Sequence, residues 1–345
     1  MTKRTLSVLH YSGLDKIYQQ VGTESGVIFT LHRVRPYARK KFRPNAHLEI
    51  TPEFLERLII MLKRRGFEFF SMADVKERIE NPDRNSRFAA FTFDDGYRDN
   101  VQHAVPILQK HEVPYTIYCV PGFVEGTADI WWEAIEDLVR QQSRILLHRQ
   151  SGPVELDCTS TSAKLRSYGI LLEYLTQEVP ENGLQQRVRE LCWLYKIELK
   201  KSHDQGMLNW TELQQQYRSP LCTIGAHTLS HPMLARLSDA RAMEEMEQCA
   251  SLLEAEFGQR PRHFAYPYGY RRAVSVREFE MAKSAGFETA VTTRPGMIFP
   301  DHAPHLTALP RISVNGLYQR LRHMGPLSTG LPTRLQRGFK KLNVR

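Results

Sequence analysis

An α/β fold built on a parallel sheet is the class this sequence predicts, on three observations. Segments of strand and helix character alternate along most of the chain, the pattern of parallel β/α architectures. The run Phe88-Ala89-Ala90-Phe91-Thr92-Phe93 is apolar on both faces, as expected of a strand covered from both sides. A length of 345 residues with 41% hydrophobic content suffices for one barrel-sized core plus an insertion.

Taken in order, Gly26 to Leu31 reads as a first strand. Thr51 is placed to cap a helix from Pro52 to Arg65, with Leu55, Leu58, Ile59 and Leu62 on one face. A short strand from Phe67 to Phe70 and a helix from Met72 to Ile79 follow. Beyond the strand ending at Phe93, Asn100 to Lys110 reads as a helix and Tyr115 to Val120 as a strand. Residues 126–217 then break the rhythm. They hold Trp131-Trp132, a polar stretch at 159–162 and helical runs at Leu165 to Thr176 and Leu184 to Ile197. This segment is expected to be a mostly helical insertion over the active-site end of the sheet, either a substrate-selecting cap or a packing module. The alternation resumes with a strand from Cys222 to Ala226. A helix from Asp239 to Phe257 starts at Ser238, stops at Gly258 and buries Ala242, Met246, Cys249, Leu253 and Phe257. A strand from His263 to Tyr266, a helix from Ser275 to Ala285 and strands from Thr289 to Thr293 and Leu309 to Val314 complete the pattern.

The chemistry sits at strand ends. Phe93-Asp94-Asp95-Gly96 places two carboxylates at a C-terminal strand end, where α/β folds and barrels carry their active sites. Adjacent residues on an extended strand point opposite ways, so a turn, eased by Gly96, is needed to aim both into one cleft. One carboxylate then suits a metal and the other a proton. Downstream, His227 and His231 stand four residues apart; on one helical turn they would share an ion. With a carboxylate they make a three-ligand site for zinc or another divalent transition metal, with positions open for water and substrate. Alone they are a weak signal, since surface or capping histidines are the commoner reading of such a pair. Around a third strand end, Tyr266, Pro267 and Tyr268 offer a wall on which a sugar ring can stack, or a packed aromatic turn at a barrel rim.

With these motifs in this order, the chain resembles the polysaccharide deacetylases, the carbohydrate esterases with a NodB-type domain. The resemblance rests on Thr92-Phe93-Asp94-Asp95-Gly96, His227-Thr228-Leu229-Ser230-His231 and Phe264-Ala265-Tyr266-Pro267-Tyr268-Gly269. It extends upstream through Phe29-Thr30-Leu31-His32-Arg33-Val34 and Leu48-Glu49-Ile50-Thr51-Pro52-Glu53-Phe54. It implies a single domain over 1–345, an irregular (β/α) barrel with fewer strands than eight, interrupted by the insertion. It further implies Asp94 as general base and Asp95, His227 and His231 as ligands of a divalent metal, Zn2+ foremost, with Co2+ or another transition metal as alternatives. The implied substrate is an N-acetylated hexosamine in an oligosaccharide, polysaccharide or glycolipid. Two departures stand out. Many members have an arginine at the position of Ala265 to orient the catalytic aspartate, and the late motif that usually supplies a histidine acid is replaced by Leu309-Pro310-Arg311-Ile312-Ser313. His32, at the end of the first strand, becomes the candidate acid, with His305 and Arg311 as alternatives. These departures leave open an amidohydrolase acting on a non-sugar amide such as a cyclic ureide, or a silent sugar-binding protein that keeps its metal.

Nothing in the chain approaches the roughly 20 consecutive apolar residues of a membrane span, and the start lacks a sustained apolar stretch with a small-residue cleavage site. Five scattered cysteines form no metal pattern and suit a reducing, cytoplasmic setting. The formal net charge of +9 is concentrated in Arg33, Arg35, Arg39, Lys40, Lys41 and Arg43 and in a tail, residues 326–345, holding Arg334, Arg337, Lys340, Lys341 and Arg345. In that tail Leu331, Leu335, Phe339 and Leu342 recur at helical spacing. Such a helix would dock on the barrel or lie on an anionic membrane at the inner face of the cell. No nucleic-acid motif accompanies the charge, so nucleic acid is not an expected partner.

Overall fold

The computed structural model describes residues 2–82, 86–199, 206–338 and 340–344. Its strands are β1 (Gly26–Leu31), β2 (Arg33–Val34), β3 (Glu49–Ile50), β4 (Phe67–Phe69), β5 (Arg87–Phe93), β6 (Tyr115–Cys119), β7 (Arg144–Arg149), β8 (Gly152–Asp157), β9 (Cys222–Ala226), β10 (His263–Ala265), β11 (Thr289–Pro295) and β12 (Leu309–Ser313). Seven of them, in the order β1-β12-β11-β10-β9-β6-β5, close into a parallel barrel because β5 pairs back onto β1 from Gly26↔Phe88 to Leu31↔Phe93. The other edge of β5 is shared, by β4 at Arg87 to Ala89 and by β6 at Phe91 to Phe93. The expected barrel of fewer than eight strands is therefore present, and its irregularity lies at this shared edge.

Period-two alternation sorts the strand residues. Val27, Phe29, Leu31, Ala89, Phe91 and Phe93 belong to one buried cluster with Leu55, Leu58, Ile59 and Leu62 of the helix Pro52–Arg64. Ile28, Phe88 and Ala90 instead join Tyr118, Ala265, Val291 and Leu309 in a second cluster within the barrel. The helix boundaries follow local chemistry. Thr51 accepts from Phe54 N at 3.2 Å, and the helix Asp239–Phe257 runs from a Ser238 cap to Gly258 at φ 74°. Since all seven strands are parallel, their C-terminal ends, from Leu31 to Ser313, open at one end of the barrel.

Several segments differ from the expectation. The insertion is not only helical: β7 and β8 form an antiparallel hairpin. Its apolar residues also share one cluster with Phe42, Tyr97 and Phe123 of the barrel rim, so it is fused to the rim. Two N-terminal helices, Lys3–Tyr11 and Leu14–Val21, precede the barrel. In the basic tail the helix Leu331–Gln336 is only six residues long, and Leu331 is buried while Leu335 is exposed. Beyond it, Asn343 is pinned by Arg294 through its carbonyl (3.2 Å) and by Arg271 through its side chain (3.1 Å). These contacts argue for docking on the barrel. Phe339 lies outside the described residues. Half of the other basic cluster is ion-paired: Arg33 pairs with Asp99 and Glu133, and Arg35 and Arg43 both pair with Glu49.

Two buried histidines make the fold sensitive to acid. Burial pushes His263 and His302 down to about 4 from an ordinary value of 6.5. Between these values the unfolded chain binds more protons than the folded one, so stability falls as pH drops from 6.5 toward 4. Each histidine should remove about 2 kcal/mol between pH 7 and pH 5, seen as a lower urea midpoint at pH 5. A midpoint that does not fall would show that neither imidazole is held neutral.

Candidate active site

At the C-terminal end of the barrel, β5 delivers Asp94 and then turns sharply. Asp95 is in the left-handed region at φ 77° and Gly96 at φ 83°. That reversal aims both carboxylates into the same cleft. Asp94 N donates to Leu31 O at 2.9 Å, tying the turn to the end of β1.

His227 and His231 come together with Asp95, though not on a helix. The segment after β9 is a loop in which Thr228 and His231 adopt φ 63° and φ 62°. Pro232 follows His231, and a residue before proline is disfavoured in the helical region. Thr228 Oγ1 accepts from His231 N at 3.0 Å. The buried Glu245 receives Ser230 N at 2.9 Å and Ser230 Oγ at 2.8 Å. Among the described residues four of the six non-glycine positions with positive φ are Asp95, Thr228, His231 and Tyr268. Such backbone strain is of order 1–3 kcal/mol per residue and persists only where the surroundings impose it.

The triad fits a divalent cation. Asp95 Oδ1 lies 3.4 Å from Nε2 of His227 and 3.4 Å from Nε2 of His231, and one ligand atom from each residue lies within 4.8 Å of the others. Asp95 Oδ1 is buried with no hydrogen-bond partner. His227 Nδ1 is 2.7 Å from Ala265 O. A carbonyl only accepts, so Nδ1 carries the proton and Nε2 presents its lone pair, the usual support of a ligating histidine. Burial opposes ionisation of Asp95, but the facing histidines hold its carboxyl well below the usual range.

Asp94 is gripped by a buried arginine from β12. Arg311 Nη1 and Nη2 reach Asp94 Oδ1 and Oδ2 at 2.7 and 2.6 Å. Nη1 also donates to Thr92 Oγ1 at 2.9 Å, and Nε donates to Thr292 O at 2.9 Å. Burial would raise the Asp94 carboxyl, but this fork outweighs it and holds the group below its ordinary value. Arg311 thus supplies from another strand the arginine that Ala265 does not. With all three nitrogens engaged, it is not placed to act as an acid. His305 precedes β12 at the opposite barrel end, which removes the other alternative to His32.

A cavity of about 530 Å³ joins Thr30, His32, Asp94, Asp95, His227 and His231. Burial lowers the His32 pKa, against the pull of Asp95 and Asp94. Trp131, Trp132, Tyr168 and Leu172 of the insertion line the cavity too. Trp132 and Tyr268 lie 5.1 and 5.0 Å from the His231 ring, and Trp131 Nε1 donates to Tyr268 OH at 3.0 Å. The expected aromatic wall is corrected in part. Tyr268 lines the cavity, joined by Tyr270. Tyr266 is buried, with its hydroxyl donating to Thr307 O at 2.8 Å, and Pro267 is buried outside the cavity lining. Tyr266 packs with Phe264 on the helix side, as alternation about the inward Ala265 requires.

Asp95→Ala, His227→Ala and His231→Ala should each weaken zinc binding at least about tenfold, read by calorimetry or elemental analysis; parent-like stoichiometry in all three would remove the metal centre. Arg311→Met strands a buried carboxylate and should cost about 3–5 kcal/mol of stability, read by urea unfolding.

Comparison with known proteins agrees with this geometry. A family model described as polysaccharide deacetylase matches residues 81–161 and 184–290, more than half of the chain. No curated protein sequence matches. Among solved structures, the fold is similar to a deacetylase, PplD, of Streptococcus pyogenes in complex with acetate (18% identity, TM-score 0.54, 90% of this chain and 100% of that one). It is also similar to IcaB from Ammonifex degensii (17% identity, TM-score 0.56, 89% and 97%). A de-N-acetylase from Aggregatibacter actinomycetemcomitans aligns at 13% identity with a TM-score of 0.52 over 84% and 95%. With a family model that matches more than half of the chain, both motif loops included, and those loops brought into one cavity, the chain belongs to the polysaccharide deacetylase family.

Proposed function

We propose that this chain is a metal-dependent N-deacetylase that removes the acetyl group from a hexosamine unit of an oligosaccharide, polysaccharide or glycolipid. The observation that carries this reading is the pairing of a carboxylate held ionised, Asp94 under Arg311, with a buried Asp95–His227–His231 cluster in one cavity. A pure binding protein has no need of a base fixed in that way.

A divalent cation on Asp95, His227 and His231, Zn2+ foremost, would polarise the amide carbonyl and lower the pKa of a water. Asp94 takes the proton of the attacking water, and its fixed orientation under Arg311 leaves little to reorganise. His32, on the same cavity wall and held neutral by burial, receives the proton that Asp94 takes from the water and passes it to the departing amine nitrogen. Tyr268 and Tyr270 offer ring faces to a sugar, with Trp131, Trp132 and Tyr168 of the insertion as a cap. Five unpaired cysteines support a reducing, cytoplasmic setting. Among the described residues no helix is long and apolar enough to cross a membrane.

Acetate release from N-acetylglucosamine oligomers by the zinc- or cobalt-loaded protein tests the reading. Asp94→Asn and His32→Ala should each lower turnover by about 10²–10⁴-fold while both retain bound metal. Metal uptake without acetate release would move the substrate to another amide. Unchanged turnover in His32→Ala would dismiss it as the acid.

A further inference from the structure

The N-terminal helices present an apolar face that the barrel does not use. Val8, Tyr11, Leu14, Ile17 and Val21 are all between 48% and 72% exposed. The helix Leu14–Val21 is turned inside out. Its fully buried residue is Asp15, which pairs with Arg65 at 2.7 Å, and Gln19 Nε2 donates to Arg65 O at 2.9 Å. Arg65 also donates to Gly325 O at 2.9 Å, where a side chain would meet its guanidinium at 2.8 Å. The polar face is therefore anchored inward, and Leu14, Ile17 and Val21, spaced three and four apart, face outward. A helix that stabilises a core does the reverse.

Charge decides what covers this face. Before Glu49 the sequence holds two acids, Asp15 and Glu24. Both are buried and paired, with Arg65 and Arg87. Lys3, Arg4 and Lys16 are exposed. An apolar stripe on two helices whose own exposed charges are all positive complements a surface that is negative outside and apolar beneath. A second copy of the chain would bring the same positive charges against it.

We propose that the helices Lys3–Tyr11 and Leu14–Val21 form an interfacial docking surface for an anionic lipid membrane, with the apolar stripe entering the headgroup boundary and Lys3, Arg4 and Lys16 meeting acidic headgroups. The surface is independent of the hydrolase reading.

Flotation of the full chain with vesicles tests it. The parent should float with an equimolar mixture of phosphatidylcholine and phosphatidylglycerol and remain unbound with phosphatidylcholine alone. Ile17→Asn with Val21→Asn should weaken binding about tenfold or more, as should replacing Lys3, Arg4 and Lys16 by Gln. Lys340→Gln with Lys341→Gln in the tail should bind like the parent. Circular dichroism confirms folding, and Val8→Asn with Tyr11→Asn gives the same readout should the first pair unfold. Equal flotation of parent and stripe variants, loss of binding in the tail variant, or no flotation at all would overturn the proposal. So would a parent dimer that the stripe variants dissociate, because the face would then be a self-interface.

Discussion

A charged guanidinium with no exposure to water sits within the barrel, and the active site is organised around it. Neither Arg311 nor Asp94 would be stable there alone, since an unpaired buried charge is strongly disfavoured. Together they are satisfied through a two-pronged ion pair and further bonds to Thr92 and Thr292. The pair needs barrel closure. Arg311 comes from β12 and Asp94 from the end of β5, and β1 lies between them, paired to both. The side chain therefore crosses a strand through the interior. The same reach fixes the orientation of the Asp94 carboxylate, as the base proposed for it requires.

Around that pair, strain is traded for convergence. Two adjacent carboxylates can share a cleft only if the backbone reverses between them, and Asp95 takes the left-handed conformation to do so. The histidine loop solves the same problem with Thr228 and His231 left-handed. Glu245 holds that loop from the neighbouring helix, which explains a fully buried carboxylate there. Phe123 of the rim and Trp132 of the insertion then pack against the His231 ring.

Much of this was legible in the sequence because it depends on local rules. Strand–helix alternation and the caps at Thr51, Ser238 and Gly258 follow from short-range chemistry. The Asp-Asp-Gly strand end announces its position in a barrel. The role of Arg311 was hidden, because its partner lies 217 residues away and nothing in Leu309 to Ser313 indicates the register. Two misreadings had local signals. Pro232 argues against a helical turn through His231, and the two-residue period sends Tyr266 to the face opposite Ala265. The β7–β8 hairpin alternates only weakly, with Ile145 and Leu147 inward but Leu146 and Val154 exposed, so its pattern did not stand out from the helical runs around it.

The most direct test of the account is turnover of Arg311→Met beside Arg311→Met with Ala265→Arg, with bound metal measured on the same samples. Ala265 belongs to the same buried cluster within the barrel as Tyr118, over whose ring Arg311 lies at 5.8 Å, so the second variant is designed to return a guanidinium to the region the first vacates. A large loss of acetate release is expected in the single variant with metal retained, and partial recovery in the double. Parent-like turnover in Arg311→Met would contradict the claim that this buried arginine holds the base.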